Sequence, residues 1–290
     1  MAVSILKERW TSKLYETTVG TGDKAIKIGG DSTLPYLQFE GDIPNRPVVA
    51  LEVTDVEPTE WPDFLKAPWG AVLADPVAWA KKAQELGADM IALRLDSAHP
   101  DKGNASAEAV AKTAKAVSDA TDLPLIVIGC ATQVNYNSIV AAAMVNGHNV
   151  IASSPLDINL CKQLNILMTE MNLPAERIVI DPLIGALGYG IEYAYSIMER
   201  SRLGALTGDK MLAMPVICFV GQEAWKSKEA KDVDSPEGQV WGEQGTRAIL
   251  WEVMTSSTLL QGGGSLFVMR HPESLKKFKA HVEEISKSNA

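Results

Sequence analysis

The sequence predicts an α/β fold, a TIM (β/α)8-type barrel with an N-terminal β-hairpin, and three observations carry that prediction. From residue 48 onward, short apolar runs alternate with amphipathic helical segments. The runs are apolar on both faces, as strands of a helix-covered parallel sheet must be. Polar or small residues recur where each run stops: Thr54 and Asp55, Asp96, Gly129 and Cys130, Ser153 and Ser154, Asp181, Gly221, and Arg270 and His271. Such a ring at strand C-termini describes the upper rim of a barrel. An open doubly wound sheet would instead place a glycine fingerprint in its first βα turn, and Thr54-Asp55-Val56-Glu57-Pro58 contains no glycine.

The elements follow in order. KLYETTVG and KAIKIGG, within residues 13–30, flank a turn at Thr21-Gly22-Asp23 and predict a hairpin lying as a lid on one end of the body. The loop to residue 47, with Pro35, Pro44 and Pro47, leads into the core, so the chain divides into hairpin and lead-in (1–47) and barrel (48–290). VVALEVTDV (48–56) is the first strand, followed by an excursion rich in Pro and Trp and by a helix with Asp75 as N-cap and Pro76 at its first position. Further strands are predicted at 90–96, 124–129, 149–155, 178–180, 214–221 and 265–272. Helices are predicted near 106–121, 135–146 with Gly147 as stop, 158–171 with Asp157 as cap, after Gly190, at 242–260 and from 273 onward. That makes seven strands, one βα unit short of a full barrel.

Composition bounds the function. The chain has 290 residues, 46% hydrophobic and 22% charged, with a mean hydropathy of +0.01, which is ordinary for a soluble globular protein and suits one large α/β domain or two small ones. A net charge of -9 without any Lys/Arg cluster argues against a nucleic-acid partner. No apolar run reaches the roughly 18 to 20 residues of a membrane span. The start, MAVSILKERW, lacks the apolar region of a signal peptide, so a cytoplasmic protein is expected. Cys130, Cys161 and Cys218 are far apart with no C-x-x-C pair, so neither a zinc site nor an iron-sulfur cluster can be assembled from them alone; buried, inert thiols are expected.

The most informative stretch is RIVIDPLIGALGYGIEYAYSIMERSRLGAL (177–206). A carboxylate, Asp181, ends a strand and is followed by a loop carrying Gly185, Gly188 and Gly190, which makes a floor where a flat ligand can approach the backbone. A βα turn with Asp181 as cap and glycines at left-handed dihedrals is the competing reading. No lysine lies in the seven strands, which argues against Schiff-base chemistry. Asp55, Asp96 and Asp181 could serve a metal or acid-base chemistry, yet no histidine pair accompanies them, and only His271, beside Arg270, is well placed. Gly262-Gly263-Gly264 precedes the last strand and reads as a helix stop. Trp61, Trp69, Trp225, Trp241 and Trp251 lie beside the rim excursions, either as interface residues or as covers of local apolar pockets. A polar rim without an obvious nucleophile suits a protein that holds a cofactor or partner.

NRPVVALEV, GADMIALRLD, SSPLDINLCKQLNILMTEMNLP, the long run RIVIDPLIGALGYGIEYAYSIMERSRLGALTGDKMLAMPVI and LFVMRHPE resemble the small subunit of the corrinoid iron-sulfur protein, the family also called the delta subunit of the acetyl-CoA decarbonylase/synthase complex. The resemblance runs from the hairpin to the last helix. It implies a barrel paired with a large subunit that carries the iron-sulfur cluster and a mobile corrinoid domain, with the cobalt corrinoid (a cobamide) held where that domain faces the barrel top. It also implies a non-catalytic role in methyl transfer, from methyltetrahydrofolate methyltransferase to carbon monoxide dehydrogenase/acetyl-CoA synthase in the reductive acetyl-CoA (Wood-Ljungdahl) pathway. On that basis Ser153, Ser154, Asp181, Gly185, Leu187, Gly188, Tyr189, Gly190, Arg270 and His271 are the candidate corrinoid-contacting residues, with no catalytic residue and no metal ligand in this chain. Two alternatives stay open: a pterin-binding barrel methyltransferase acting on a corrinoid protein, and a structural partner that never touches the cofactor. One departure matters. Where the family has about twenty or more further residues forming a helix and the fourth strand, LPLIVIG runs directly into CATQVNY, so the missing unit belongs near Gly129-Cys130. The undisturbed rhythm on both sides favours a native chain that carries the unit over one that has lost it.

Overall fold

The run VVALEVT forms a strand buried along its whole length, and the rest of the barrel is laid out on either side of it. The computed structural model describes residues 6–287. Its strands are β1 (Glu16–Val19), β2 (Ile26–Gly29), β3 (Val48–Thr54), β4 (Met90–Arg94), β5 (Leu125–Val127), β6 (Cys130–Ala131), β7 (Val150–Ser153), β8 (Ile178–Asp181), β9 (Ile217–Cys218) and β10 (Leu266–Met269). Its α-helices are α1 (Asp63–Lys66), α2 (Pro76–Glu85), α3 (Ala107–Ala120), α4 (Tyr136–Asn146), α5 (Ile158–Glu170), α6 (Ile191–Leu206), α7 (Val220–Ala224), α8 (Lys228–Lys231), α9 (Pro236–Val240), α10 (Gln244–Gln261) and α11 (Pro272–Lys287). The caps named from sequence hold: Asp75 accepts from Val77 N, Asp157 accepts from Asn159 N, and Gly147 closes α4 in the left-handed conformation. Gly262 caps α10, and Gly263 follows it with φ 99°, which is the helix stop predicted for the triple glycine.

All pairings from β3 onward are parallel, in the orders β5-β4-β3-β10-β9 and β6-β7-β8, and a parallel bridge between Ile180 and Val216 joins β8 to β9. The last strand pairs with the first, Leu266 opposite Val48 and Met269 opposite Leu51, which is barrel topology. Side-chain alternation then sorts two cores. Val48, Ala50, Met90, Ala92, Ile126, Ile151, Val179 and Val268 fill the interior. Val49, Leu51, Ile91, Ala152, Ile180 and Phe267 face the helices. Val19 and Ile28 of the antiparallel hairpin β1-β2 join the interior cluster, so the hairpin plugs one end of the barrel.

Two expectations are corrected, and one left open between two readings is decided. The strand predicted at 124–129 is one extended segment that serves two neighbours: β5 bonds β4, and β6 bonds β7 two residues further on. Ile126, Ile128 and Cys130 all face inward along it, so seven staves stand where eight would. The strand predicted at 214–221 is only Ile217–Cys218, because Val220–Ala224 winds into a helix. Among the tryptophans, Trp61, Trp69 and Trp225 are buried core side chains rather than interface residues, with Trp61 and Trp69 each packed 5.6 Å and 5.5 Å from Trp79.

Candidate functional site

Because successive strand residues point to opposite faces, the rim residues fall into an inward and an outward set. Ser153 on β7 and Asp181 on β8 are register partners facing inward. Ser153 Oγ donates to Asp181 Oδ2 at 2.9 Å, and Leu183 N donates to Oδ1 at 3.0 Å. Burial pushes the Asp181 carboxyl above its ordinary pKa, and the hydrogen bonds from Leu183 and Ser153 only partly offset that. Burial also raises the neighbouring Cys130 thiol to about 12, helped by the Asp181 charge, so no thiolate is available there at neutral pH. The next residue along β7, Ser154, turns outward, against Cys161 of α5.

Arg270, just past β10, also faces inward and closes on the fully buried Glu52 of β3, with Nε to Oε2 at 2.8 Å and Nη2 to Oε1 at 3.2 Å. Arg94 of β4 reaches the same carboxylate from the other side at 2.9 Å and donates through Nη2 to Gln222 Oε1 at 2.6 Å. Burial alone would raise the Glu52 pKa; the two guanidiniums outweigh it and hold the group below the usual carboxylate range. Arg270 also lies 5.1 Å over the Trp61 ring. Behind it, Glu252 of α10 accepts from Arg270 N at 2.7 Å and His271 N at 3.3 Å, which anchors the end of β10. His271 turns outward: its Nδ1 accepts from Glu273 N at 3.1 Å at the start of α11, and its ring stacks 5.9 Å from Trp225. Burial lowers its pKa.

The loop from Pro182 to Gly190 forms the rim above this layer. A Cβ on Gly185 would sit 2.2 Å from the Tyr189 carbonyl, so the loop can fold back on itself only with glycine there. Gly188 and Gly190 have φ of 78° and 88°, and a Cβ at Gly188 would meet nothing nearer than Trp251 Cζ2 at 3.9 Å. Leu187 N donates to Thr255 Oγ1 at 3.3 Å, and Lys228 N donates to the Tyr189 hydroxyl at 2.9 Å, which ties the loop to α10 and α8. Leu183, Tyr189, Tyr193 and Leu156 are exposed around it.

The structure therefore brings Ser153, Asp181 and Arg270 into one buried polar layer and Leu187, Gly188, Tyr189 and Gly190 onto the rim, with Gly185 as the loop's pivot. Ser154 and His271 lie on the outer side of the wall. Glu52, Arg94 and Gln222 complete the layer and were missed from sequence, although a charge inside an otherwise apolar run, as in VVALEVT and MIALR, signals a buried partner. The other rim carboxylates are engaged apart from Asp181: Asp55 accepts from Ser97 N at 3.0 Å, and Asp96 pairs with Lys102 at 2.8 Å. Among the described residues no group of three or more His, Cys, Asp or Glu side chains is placed to hold a metal ion. Buried, mutually hydrogen-bonded polar side chains thus underlie a rim loop that exposes Leu183 and Tyr189.

Comparison with known proteins adds the family. The model for the CO dehydrogenase/acetyl-CoA synthase delta subunit matches residues 16–134 and 128–278, two pieces that meet where β5 runs into β6. The chain is 34% identical over 293 residues to the acetyl-CoA decarbonylase/synthase complex subunit delta of Methanocaldococcus jannaschii, covering 90% of this chain and 69% of that protein. It is 32% identical over 308 residues to subunit delta 1 of Methanosarcina thermophila, covering 93% and 70%. In fold it is similar to dihydropteroate synthase from Xanthomonas albilineans, with TM-score 0.58 and 14% identity over 95% of this chain and 99% of that one. Dihydropteroate synthase from Coxiella burnetii gives TM-score 0.55 and 13% identity over 89% and 99%.

Proposed function

Because this chain belongs to the family of CO dehydrogenase/acetyl-CoA synthase delta subunits, we propose that it is the small subunit of a corrinoid iron-sulfur methyl carrier and that its barrel mouth covers one face of the corrinoid. The observation that supports this most is the β8–α6 loop, where glycines at left-handed dihedrals and exposed Leu183 and Tyr189 lie over the buried layer of Ser153, Asp181 and Arg270. A bound corrinoid would supply the cobalt that takes up and releases the methyl group. The chain's own residues do the holding. Gly188 and Gly190 leave room for a flat ring to approach the backbone, Leu187 and Tyr189 exclude water from its edge, and the polar layer offers fixed hydrogen bonds to amide side chains. Ser154 and His271 support the wall.

The iron-sulfur cluster belongs to the large subunit in this reading; Cys130, Cys161 and Cys218 are free thiols, the last two of them buried. The partners are that large subunit, a methyltetrahydrofolate methyltransferase and carbon monoxide dehydrogenase/acetyl-CoA synthase, in the cytoplasm. Among the described residues no helix is long and apolar enough to cross a membrane. Leu187→Trp and Gly188→Trp test the reading: each bulky side chain should slow methyl transfer through the reconstituted pair and alter its corrinoid absorption spectrum. Transfer rates and spectrum unchanged in both variants would count against the assignment.

A further inference from the structure

Arg94 and Arg270 each keep one nitrogen open inside the mouth. Both side chains point inward, one from β4 and one from the end of β10, and both meet Glu52, which is 1% exposed. Arg270 spends Nε and Nη2 on the two carboxylate oxygens. Arg94 spends Nε on Glu52 and Nη2 on Gln222 Oε1. Nη1 of each has no partner among the described residues, and neither Nη1 is enclosed by the protein. The two side chains are 23% and 12% exposed. Because the hairpin plugs the other end of the barrel, the water that reaches them enters through the mouth.

Two guanidiniums share a single carboxylate, so the group carries an uncompensated positive charge. The other carboxylates nearby are engaged or screened. Glu252 accepts from Arg270 N and His271 N behind the wall, Asp181 is bonded to Ser153 and Leu183, and Glu223 pairs with Lys226 at 2.9 Å. Glu60 is exposed to water. Both guanidiniums are also set before any ligand arrives, which lowers the cost of binding one. Trp61 lies 5.1 Å beneath Arg270, and only a glycine at 221 leaves room for it, since a Cβ there would sit 2.7 Å from Arg270 Cγ. Planar N–H donors of this kind pair best with oxyanions. We propose that Arg94 and Arg270 form an oxyanion subsite inside the mouth, which takes a phosphate group with an oxygen on each Nη1. A complete cobamide carries such a group in its nucleotide arm, and free phosphate is the other source. Assigning the arm rests on the corrinoid reading; the subsite itself does not.

Calorimetry of the purified full chain with inorganic phosphate, at an ionic strength fixed by sodium chloride, tests the subsite. Binding is expected at concentrations up to roughly 10 mM, the range open to so small a ligand. Arg94→Gln should weaken it about tenfold or more, the loss of one charge-assisted hydrogen bond. Arg46→Gln, at the opposite end of the barrel where Asp89 holds Arg46 at 2.7 Å, should leave it unchanged. No binding, or binding that Arg94→Gln weakens no more than Arg46→Gln does, overturns the proposal. If Arg94→Gln does not fold, a crystal of the unaltered chain grown with phosphate decides: an ion between Arg94 and Arg270 supports the subsite, and an ion elsewhere or none refutes it. The source is read on the pair reconstituted with the large subunit, where cobinamide phosphate should bind about tenfold more tightly than cobinamide and Arg94→Gln should remove the difference. Equal binding of the two corrinoids refutes the nucleotide arm as occupant and assigns the subsite to free phosphate. A pair that takes up neither corrinoid refutes the methyl-carrier reading, while the phosphate titration still decides the subsite.

Discussion

Arg270 grips Glu52 through two hydrogen bonds, 2.8 and 3.2 Å, and so ties the end of the last barrel strand to the interior of the first. Arg94 completes the arrangement from β4. One buried carboxylate thus fixes three adjacent strands just beneath the mouth, and the rim above inherits that rigidity.

Glu52→Gln should be strongly destabilising, because it leaves two guanidiniums buried without a counter-charge. Breaking one side of a buried ion pair costs about 3–5 kcal/mol. Urea unfolding near neutral pH checks this. The wild-type pH dependence follows from the same group: its folded pKa is depressed, so its contribution is present above the ordinary value of 4.5 and is lost as pH falls through the lower folded value. Glu52→Gln should therefore lose its disadvantage in acid, and a deficit independent of pH would contradict the account.

Asp181 has the opposite sign. Its folded pKa is raised, so its contribution is present below the ordinary value of 3.8 and is lost as pH rises through the folded value. Asp181→Asn cannot titrate, and its Tm relative to wild type should increase with pH across that window and then level off. The side-chain amide can still accept from Leu183 N, which keeps the turn. A Tm difference that is constant with pH would exclude desolvation of Asp181 as the cause.

The alternation of strands and helices was legible because each strand is an apolar run between identifiable caps, and Asp181 stood out as a carboxylate at a strand end. What escaped was pairing across the barrel. Arg270 was visible in MRHP, yet its partner Glu52 lies more than two hundred residues away, and no local spacing joins them. Strand parity was available but unused: Ser153 and Ser154 cannot share a face, nor can Arg270 and His271. The short β9 was hidden because MPVICFVG is uniformly apolar, and such a run does not reveal where strand gives way to helix.

The segment from β5 to β6 supports a prediction about the native chain. Val127, on the outer face of β5, is 40% exposed where a barrel strand is normally covered by a helix, and α4 leaves Met144 and Val145 exposed as well. The family model matches in two pieces that meet at 128–134. Intact-mass measurement of the protein from its native cell should exceed 31.3 kDa by the mass of a strand and helix, roughly 20–30 residues. A mass of 31.3 kDa would establish the seven-stave barrel as the native form.

The most direct test of the methyl-carrier reading is anaerobic purification of this chain from its native cell, with cobalt, iron and visible absorption measured on whatever accompanies it. The account predicts a roughly equimolar larger partner carrying corrinoid and cluster, with cobalt and iron near a ratio of roughly 1:4 for one four-iron cluster. A colourless chain, free of cobalt and partner, that binds methyltetrahydrofolate by itself would contradict it and favour a pterin-binding methyltransferase.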